Sequence, residues 1–506
     1  AESGEKPVKV ERPAELVKPV MPVRPVEPAE LVVPVELVKP VMPVEPVELV
    51  VPVEPRSIRA QALPFPPPLG LYIHLPWCIR KCPYCDFNSH ALQSASEDSG
   101  LFDRYVDALI ADLEGSLPAV WGRTVQTIFL GGGTPSLFAP EAVARLLEAV
   151  RSRLRLQGAA EVTMEANPGS FEVERFKAFE AAGINRLSLG VQTFSSDCLV
   201  RIGRVHDAAQ ALRAAEMAVT TFDQVNIDLM FGQPGQRLED LRRDLDRVDA
   251  LGVGHVSLYQ FTLEPNTYFA SRPPEDLPGE SLLEDMQQLI DDLVPRLGLE
   301  QYEVSAWARP SAQCRHNLNV WQFGDYLGIG AGAHSKISDH EGIWRQVRPH
   351  HPERYIQQML APTLQVNEAE PPEPMYTTER VLRQLPVRRE GSGPMPALVQ
   401  VRKTLPAGNR RRRVLERELP FEFMLNVLRL REGVPTTFFA ERTGMRVSHI
   451  NRVLTQAVDR GLLDPDPRVL RASPLGWRFL NTLQSMFLDP LGHGSGRCVT
   501  MHQEGA

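Results

Sequence analysis

Six apolar runs of strand length alternate with amphipathic helical patterns between Leu69 and Tyr259, and no other feature restricts the fold as much. The runs are Leu69–Leu75, Val125–Leu130, Glu161–Met164, Arg186–Leu189, Gln224–Met230 and His255–Tyr259. Helical periodicity fills the gaps at Phe102–Leu117, Pro140–Leu154, Phe171–Ala182, Ala208–Val219 and Leu238–Leu251. That spacing demands parallel strands joined by right-handed helical crossovers, hence an α/β fold. An open doubly wound sheet and a barrel both satisfy it, and both place ligand chemistry at the C-terminal ends of the strands.

The first of those strand ends carries the densest chemistry. After Leu75 and Pro76 comes Cys78-Ile-Arg-Lys-Cys82-Pro-Tyr-Cys85, three thiols spaced C-x3-C-x2-C. Three thiolates can hold three irons of a [4Fe-4S] cubane, which normally takes four cysteine ligands, so one iron is left open for another ligand. A zinc site would call for paired C-x2-C units, and Cys198, Cys314 and Cys498 supply no second pair. Three buried core thiols are the other alternative, against which Arg80, Lys81, Pro83 and Asp86 argue by their polarity.

Later strand ends add ligand-type residues. Gly131-Gly132-Gly133-Thr134 follows the second strand, where glycines allow close backbone approach. Glu165 ends the third strand, where it could bind a ribose hydroxyl or an amine, and Gln192 ends the fourth. Arg204 offers a guanidinium suited to a carboxylate. Asp228 lies inside an otherwise apolar strand, so it needs a partner. Each could equally be a structural salt bridge or hydrogen bond.

The cysteine spacing, with Tyr84 before the last thiol, resembles the signature of the radical S-adenosylmethionine (SAM) superfamily. The wider string from Tyr72 to Ser89 is similar to the heme-chaperone branch of that superfamily, a relative of the oxygen-independent coproporphyrinogen III dehydrogenases. The resemblance runs from about Leu69 to Leu364 and from about Glu418 to Leu488. It implies a partial six-strand (β/α) barrel with a winged-helix-like C-terminal domain. It implies a [4Fe-4S] cluster on Cys78, Cys82 and Cys85, and SAM contacts at Tyr72, Tyr84, Gly132, Gly133, Thr134, Glu165, Gln192, Arg204 and Asp228. SAM would chelate the open iron, and a reduced cluster would pass an electron to its sulfonium to release a deoxyadenosyl radical.

Two uses of that scaffold compete: radical decarboxylation of coproporphyrinogen III in porphyrin biosynthesis, and binding of heme for delivery to a hemoprotein acceptor. The dehydrogenases have a further Cys two residues beyond the last cluster thiol, and this chain has Phe87. They also have an ordered N-terminal arm, of which the arm here shows no pattern. His316-Asn317-Leu318-Asn319-Val320-Trp321 is similar to the chaperones' H-N-x-x-Y-W motif, with Val320 in place of Tyr. Imidazole is a common axial heme ligand, so His316 is a candidate heme contact, with Trp321 against the porphyrin and Cys314 as a lesser candidate. The alternative is that His316 and Asn317 are structural groups. The chaperone use is expected, with an electron donor for the cluster.

The remaining segments are read from composition. Residues 1–68 are rich in Pro, Val and Glu, and Glu15–Val23 recurs letter for letter at Glu36–Val44. Prolines this frequent block helices and central strands, so a disordered or extended arm is expected. The barrel should occupy 69–300, with an extension over 301–365 containing a strand at Glu303–Trp307. An irregular linker is expected over 366–417, with Arg410–Arg413 as a solvated charge run. A helical winged-helix-like domain at 418–489 and a tail at 490–506 follow. Net charge is −8 and the C-terminal helices are not strongly basic, which argues against nucleic acid. Six cysteines in 506 residues fit a reducing cytoplasm, and no apolar run approaches the roughly 20 residues of a membrane span. The chain starts at Ala1 with no apolar leader and no Met, as expected of a trimmed or partial chain.

Overall fold

The structure is a computed structural model that describes residues 63, 65–92, 100–169, 175–361 and 410–488. The expected Pro/Val arm up to residue 62, the expected linker over 366–409 and the expected tail lie outside the described residues.

The six expected strands are present as β1 (Leu69–Leu75), β2 (Thr124–Gly132), β3 (Arg155–Ala166), β4 (Arg186–Gln192), β5 (Gln224–Phe231) and β6 (His255–Gln260). They pair in that order, all parallel. The crossovers carry α1 (Leu101–Val120), α2 (Pro140–Arg153), α3 (Phe176–Ala182), α4 (Ala208–Thr221) and α5 (Leu238–Leu251). Beyond β6, α6 (Glu280–Leu293) leads into β7 (Glu300–Glu303) and β8 (Ala306–Ala308). β8 is antiparallel to both β6 and β7, so the stretch expected as one strand at Glu303–Trp307 is a tight hairpin instead.

At the other edge the sheet also continues. After α7 (Arg315–Trp321), β9 (Asp325–Ile329) lies parallel to β1. β10 (His334–Asp339), β11 (Gly342–Val347) and β12 (Arg410–Arg413) extend that edge antiparallel. Among the described residues the sheet has twelve strands and its two edges, β12 and β7, do not pair with each other: the barrel is partial. The arginine run is thus an edge strand rather than part of a linker. Arg411 pairs with Asp339 and covers Trp344, and Arg412 pairs with Glu418. Successive guanidiniums on a strand find carboxylates on two sides, which sequence periodicity does not reveal.

Strand alternation explains which residues face what. Leu71, Ile73, Leu75, Ile128, Leu130, Leu187, Leu189, Ile227 and Leu229 share one core with the crossover helices. The alternate positions make the opposite, concave face: Gly70, Tyr72 and His74, then Thr127, Glu161, Glu165, Ser188, Asn226 and Asp228. It is polar, and this is why Asp228 sits in an apolar run. α8 (Pro352–Leu360) packs on α1, joined by the Tyr105–Tyr355 ring contact.

The C-terminal domain packs around Phe423, Val427, Phe439, Ile450, Leu483 and Phe487, a core that also takes in Phe323 and Ile343 of the barrel extension. It contains α9 (Leu419–Val427), α10 (Thr437–Thr443) and α11 (Asn451–Asp459). A two-strand ladder, β13 (Val434–Pro435) with β14 (Val469–Leu470), forms its wing, followed by α12 (Pro474–Arg478) and α13 (Leu480–Ser485). The last two are separated at Phe479, which leaves helical angles. Ion pairs, the largely buried Arg429–Glu303 and the partly buried Arg345–Glu422, tie this domain to the barrel sheet.

Candidate cofactor site at the strand ends

The cysteine loop is clamped on every side by groups the fold delivers to it. Trp77 anchors its start, buried against Tyr105 (ring centroids 4.7 Å apart), Phe102 and Phe138. The loop returns beside itself, pairing Trp77 with His90 and Cys78 with Ala91. Asn88 Nδ2 donates to Ala331 O and His350 O, both at 2.9 Å. Arg80 donates to Gly203 O and Arg204 O, and Lys81 to Phe87 O. The Phe269 amide donates to Pro83 O at 3.0 Å. The glycine-rich turn at 330–332 therefore serves the cysteine loop through Asn88, a role its sequence alone did not suggest.

His74 links this loop to the concave face. Tyr72 OH donates to its Nδ1 at 2.9 Å, and its Nε2 donates to Asn88 O at 3.1 Å. Burial lowers its pKa to about 4, so the ring is neutral, consistent with one donor and one acceptor nitrogen.

The three thiols are half-buried. Burial raises the Cys78 and Cys85 pKa values, so bound iron has to favour the thiolate forms. Among the described residues no three His, Cys, Asp or Glu side chains converge on a point that would hold one metal ion. Three sulfurs that each take a different iron of a cubane need not converge, whereas a mononuclear zinc site requires it. The donor set fits the cluster.

The glycine strip runs directly beneath that loop. Gly133 N donates to Leu75 O at 2.8 Å and Thr134 N to Trp77 O at 2.7 Å. A Cβ on Gly133 would stand 2.6 Å from Trp77 O and 2.7 Å from Pro76 C, both backbone atoms. Gly132 has φ +113°, and its amide donates to Glu165 Oε2 at 3.0 Å. The glycines let β2 pass under the cysteine loop, and this packing demand stands beside any demand for ligand approach.

Glu165, Gln192, Arg204 and Asp228 are brought to the same mouth. Burial, with Asp228 nearby, pushes the Glu165 pKa up to about 7 despite the Gly132 amide. Asp228 finds its expected partners: Asn226 Nδ2 at 2.7 Å and Ser188 Oγ at 3.1 Å. Burial still raises its pKa. Gln192 has φ +69°, a strained value for a side chain of its size, and Gln233 Nε2 holds its carbonyl at 3.0 Å. Burial works to lower the Arg204 pKa, but Tyr84 and Cys82 beside it raise it overall. Tyr84 also packs against Phe261.

His316 is elsewhere. α7 lies across the opposite, N-terminal end of the partial barrel. His316 is 5% exposed, its Nδ1 is 2.9 Å from Thr127 Oγ1, and its ring packs on Phe129. The amides of Arg315 and His316 and the Cys314 thiol all donate to Glu161. Trp321 packs toward the C-terminal domain with the Arg429 guanidinium over its ring at 4.3 Å. Of the two readings weighed for His316, these contacts favour the structural one: His316 and Cys314 are occupied in closing the barrel end, and Trp321 packs against the C-terminal domain. The partner that sequence reasoning missed is Glu161, a carboxylate at the start of the expected third strand, which reads there as an ordinary polar edge residue.

With this geometry in place, comparison with known proteins is specific. The radical SAM superfamily model matches residues 72–248, and the HemN C-terminal domain model matches residues 414–479. The Heme chaperone HemW of Escherichia coli (strain K12) is 41% identical over 424 residues, 83% of this chain and 98% of that protein. The Haemophilus influenzae Heme chaperone HemW is 38% identical, covering 84% and 99%. The structure of coproporphyrinogen III oxidase (HemN) from E. coli superposes with a TM-score of 0.63 at 21% identity, over 83% of this chain and 90% of that one. Fold and strand-end site thus define a radical SAM protein. Within that class the chain belongs to the heme chaperone HemW family.

Proposed function

We propose that this chain is a heme chaperone that holds a [4Fe-4S] cluster and SAM at the strand ends, binds heme, and delivers it to a hemoprotein acceptor. The observation that carries this reading is the 41% identity to a Heme chaperone HemW along 98% of that protein's length. Cys78, Cys82 and Cys85 would hold the cluster. Gly132, Gly133, Thr134, Glu165, Gln192, Arg204 and Asp228, with Tyr72 and Tyr84, would line the SAM site. Together the two groups would supply one-electron chemistry at a sulfonium.

The chain's own residues do the positioning. Arg204 offers a permanent cation for a carboxylate, and Glu165, Gln192 and Asp228 offer acceptors at one mouth. Gln233 keeps the Gln192 turn in its strained form, and Trp77 with Asn88 fixes the loop. Phe87, 44% exposed, stands where a fourth nearby thiol would belong in the dehydrogenases. An electron donor separate from this chain would reduce the cluster, and the cytoplasm is the compartment that keeps three thiols reduced. No described helix is long and apolar enough to cross a membrane.

The test uses one cluster-loaded preparation for two assays. Heme titration should give saturable binding followed by transfer to an apo-hemoprotein. Incubation with coproporphyrinogen III, SAM and a reductant should leave the substrate unchanged; formation of protoporphyrinogen would overturn the chaperone reading.

A further inference from the structure

Two of the cysteine-loop thiols are joined by a hydrogen-bonded relay through a residue the sequence did not single out. Thr134 Oγ1 donates to Cys78 Sγ at 3.4 Å, and Asn167 Nδ2 donates to Thr134 Oγ1 at 2.7 Å. Arg204 Nη2 donates to Asn167 Oδ1 at 2.5 Å and to Gly190 O at 2.8 Å, while its Nη1 reaches Cys82 Sγ at 3.7 Å. The third thiol, Cys85, has Ser89 Oγ 3.6 Å from its sulfur. Each sulfur therefore has a hydroxyl or a guanidinium beside it.

The relay has a direction set by donor chemistry. A threonine hydroxyl has one proton, and directing it at Cys78 leaves its lone pairs to face another donor. Asn167 meets that requirement only with its NH2 toward Thr134 and its oxygen toward the guanidinium. The opposite amide orientation would set NH2 against a cation. Arg204 thus orients Asn167, and Asn167 orients the Thr134 hydroxyl onto Cys78. Asn167 follows the end of β3, so the strand that carries Glu165 also carries the link between two sulfurs.

We propose that Asn167 is a positioning residue that couples Arg204 to Thr134 and thereby helps set the reduction potential of the cluster, while Ser89, beside Cys85 and also within reach of Cys78, acts outside that coupling. The proposal rests on the cluster assignment above. Hydrogen bonds to cluster sulfurs and a nearby cation withdraw charge and favour the reduced form, so they raise the potential. Without Asn167 the Thr134 hydroxyl is free to turn away from Cys78, and Arg204 loses one of its oxygen anchors.

The experiment is a redox titration of the reconstituted full-length chain without SAM, followed by electron paramagnetic resonance, with iron and sulfide counted on every sample. Asn167→Ala should move the midpoint to a more negative potential and alter the reduced-cluster signal at unchanged iron content. Thr134→Val should do the same, while Thr134→Ser restores the wild-type value. The Asn167→Ala/Thr134→Val double variant should fall no further than Thr134→Val alone by the Cys78 route, whereas Ser89→Ala adds its own shift. If Asn167→Ala fails to fold, the Thr134→Val and Thr134→Ser pair decides. A wild-type potential in folded, fully loaded Asn167→Ala would overturn the relay, even if Thr134→Val were shifted, and a wild-type potential in Thr134→Val would overturn it as well. Wild-type protein carrying no iron or sulfide after reconstitution would instead remove the cluster assignment itself.

Discussion

The two ends of the partial barrel use similar residues for opposite purposes. At the N-terminal end Glu161 accepts from two backbone amides and the Cys314 thiol, Arg186 donates to Ala312 O, and His255 is bonded to both Asn226 and Tyr302. Polar groups there are turned on one another, and α7 closes over them. At the C-terminal end Glu165, Gln192 and Arg204 converge beneath a loop of three half-buried thiols. The contrast teaches that a buried histidine or carboxylate in this fold is informative only once its strand end is known. His74 and His316 are both neutral and buried, yet one supports the cysteine loop and the other a closure.

The comparison can be broken most severely at the thiols. Cys82→Ala should abolish the iron and sulfide retained on reconstitution while leaving the thermal unfolding of the cluster-free chain nearly unchanged, since the side chain is only half-buried. A comparable iron content in wild type and variant would refute the assignment of this end as the cofactor end. Next in size is Gly133→Ala. Its Cβ would meet backbone at 2.6 Å, which side-chain adjustment does not relieve, so a loss of about 2 kcal/mol or more is expected in chemical denaturation, together with poor cluster retention. A fully stable Gly133→Ala variant would show that the strip and the loop have room for a Cβ between them.

His316→Ala sharpens the comparison from the other end. Removing a buried ring that packs on Phe129 and bonds Thr127 should destabilise the chain by about 2 kcal/mol. Heme affinity measured below the melting transition should stay within about twofold. Lost heme binding with undiminished stability would return His316 to the heme site.

What could be read in advance follows from where the information lies. Alternating apolar runs specify both the strands and their parallel order, because crossover handedness leaves few alternatives. The cysteine loop is a contiguous motif, so its thiols were legible from spacing. Asn88, Asn167 and Ser89 were not, because a short polar side chain near a motif has many bland uses and its partner lies far away in sequence: Asn167 meets Arg204 across 37 positions. The same limit hides the contacts of His316, whose partner Thr127 is 189 residues distant. Arg410–Arg413 looked like a solvated run because β11, which it pairs with, lies on the far side of the 362–409 segment. Local pattern reports local structure, and a site assembled from several strand ends is visible only when one of its parts is itself a motif.

The smallest effect in this comparison is in pH dependence, and it isolates His316 from its neighbours. Burial lowers its pKa to about 4, against about 6.5 in an unfolded chain. As pH falls below 6.5 the unfolded chain takes up a proton and the folded chain does not, so the unfolded state gains and stability falls. The contribution is fully present above pH 6.5 and is lost progressively as pH approaches 4. Between pH 7 and pH 5.5 this one site should cost about 1 kcal/mol. His74 and His206 are lowered in the same direction by burial, so the wild-type slope alone cannot be assigned to one ring. The difference between wild type and His316→Asn can: the variant should be less stable at pH 7, and the gap should narrow by about that amount at pH 5.5. Parallel curves would mean that the ring at the barrel's closed end is already exposed to protons, and the contrast between the two ends would fail there.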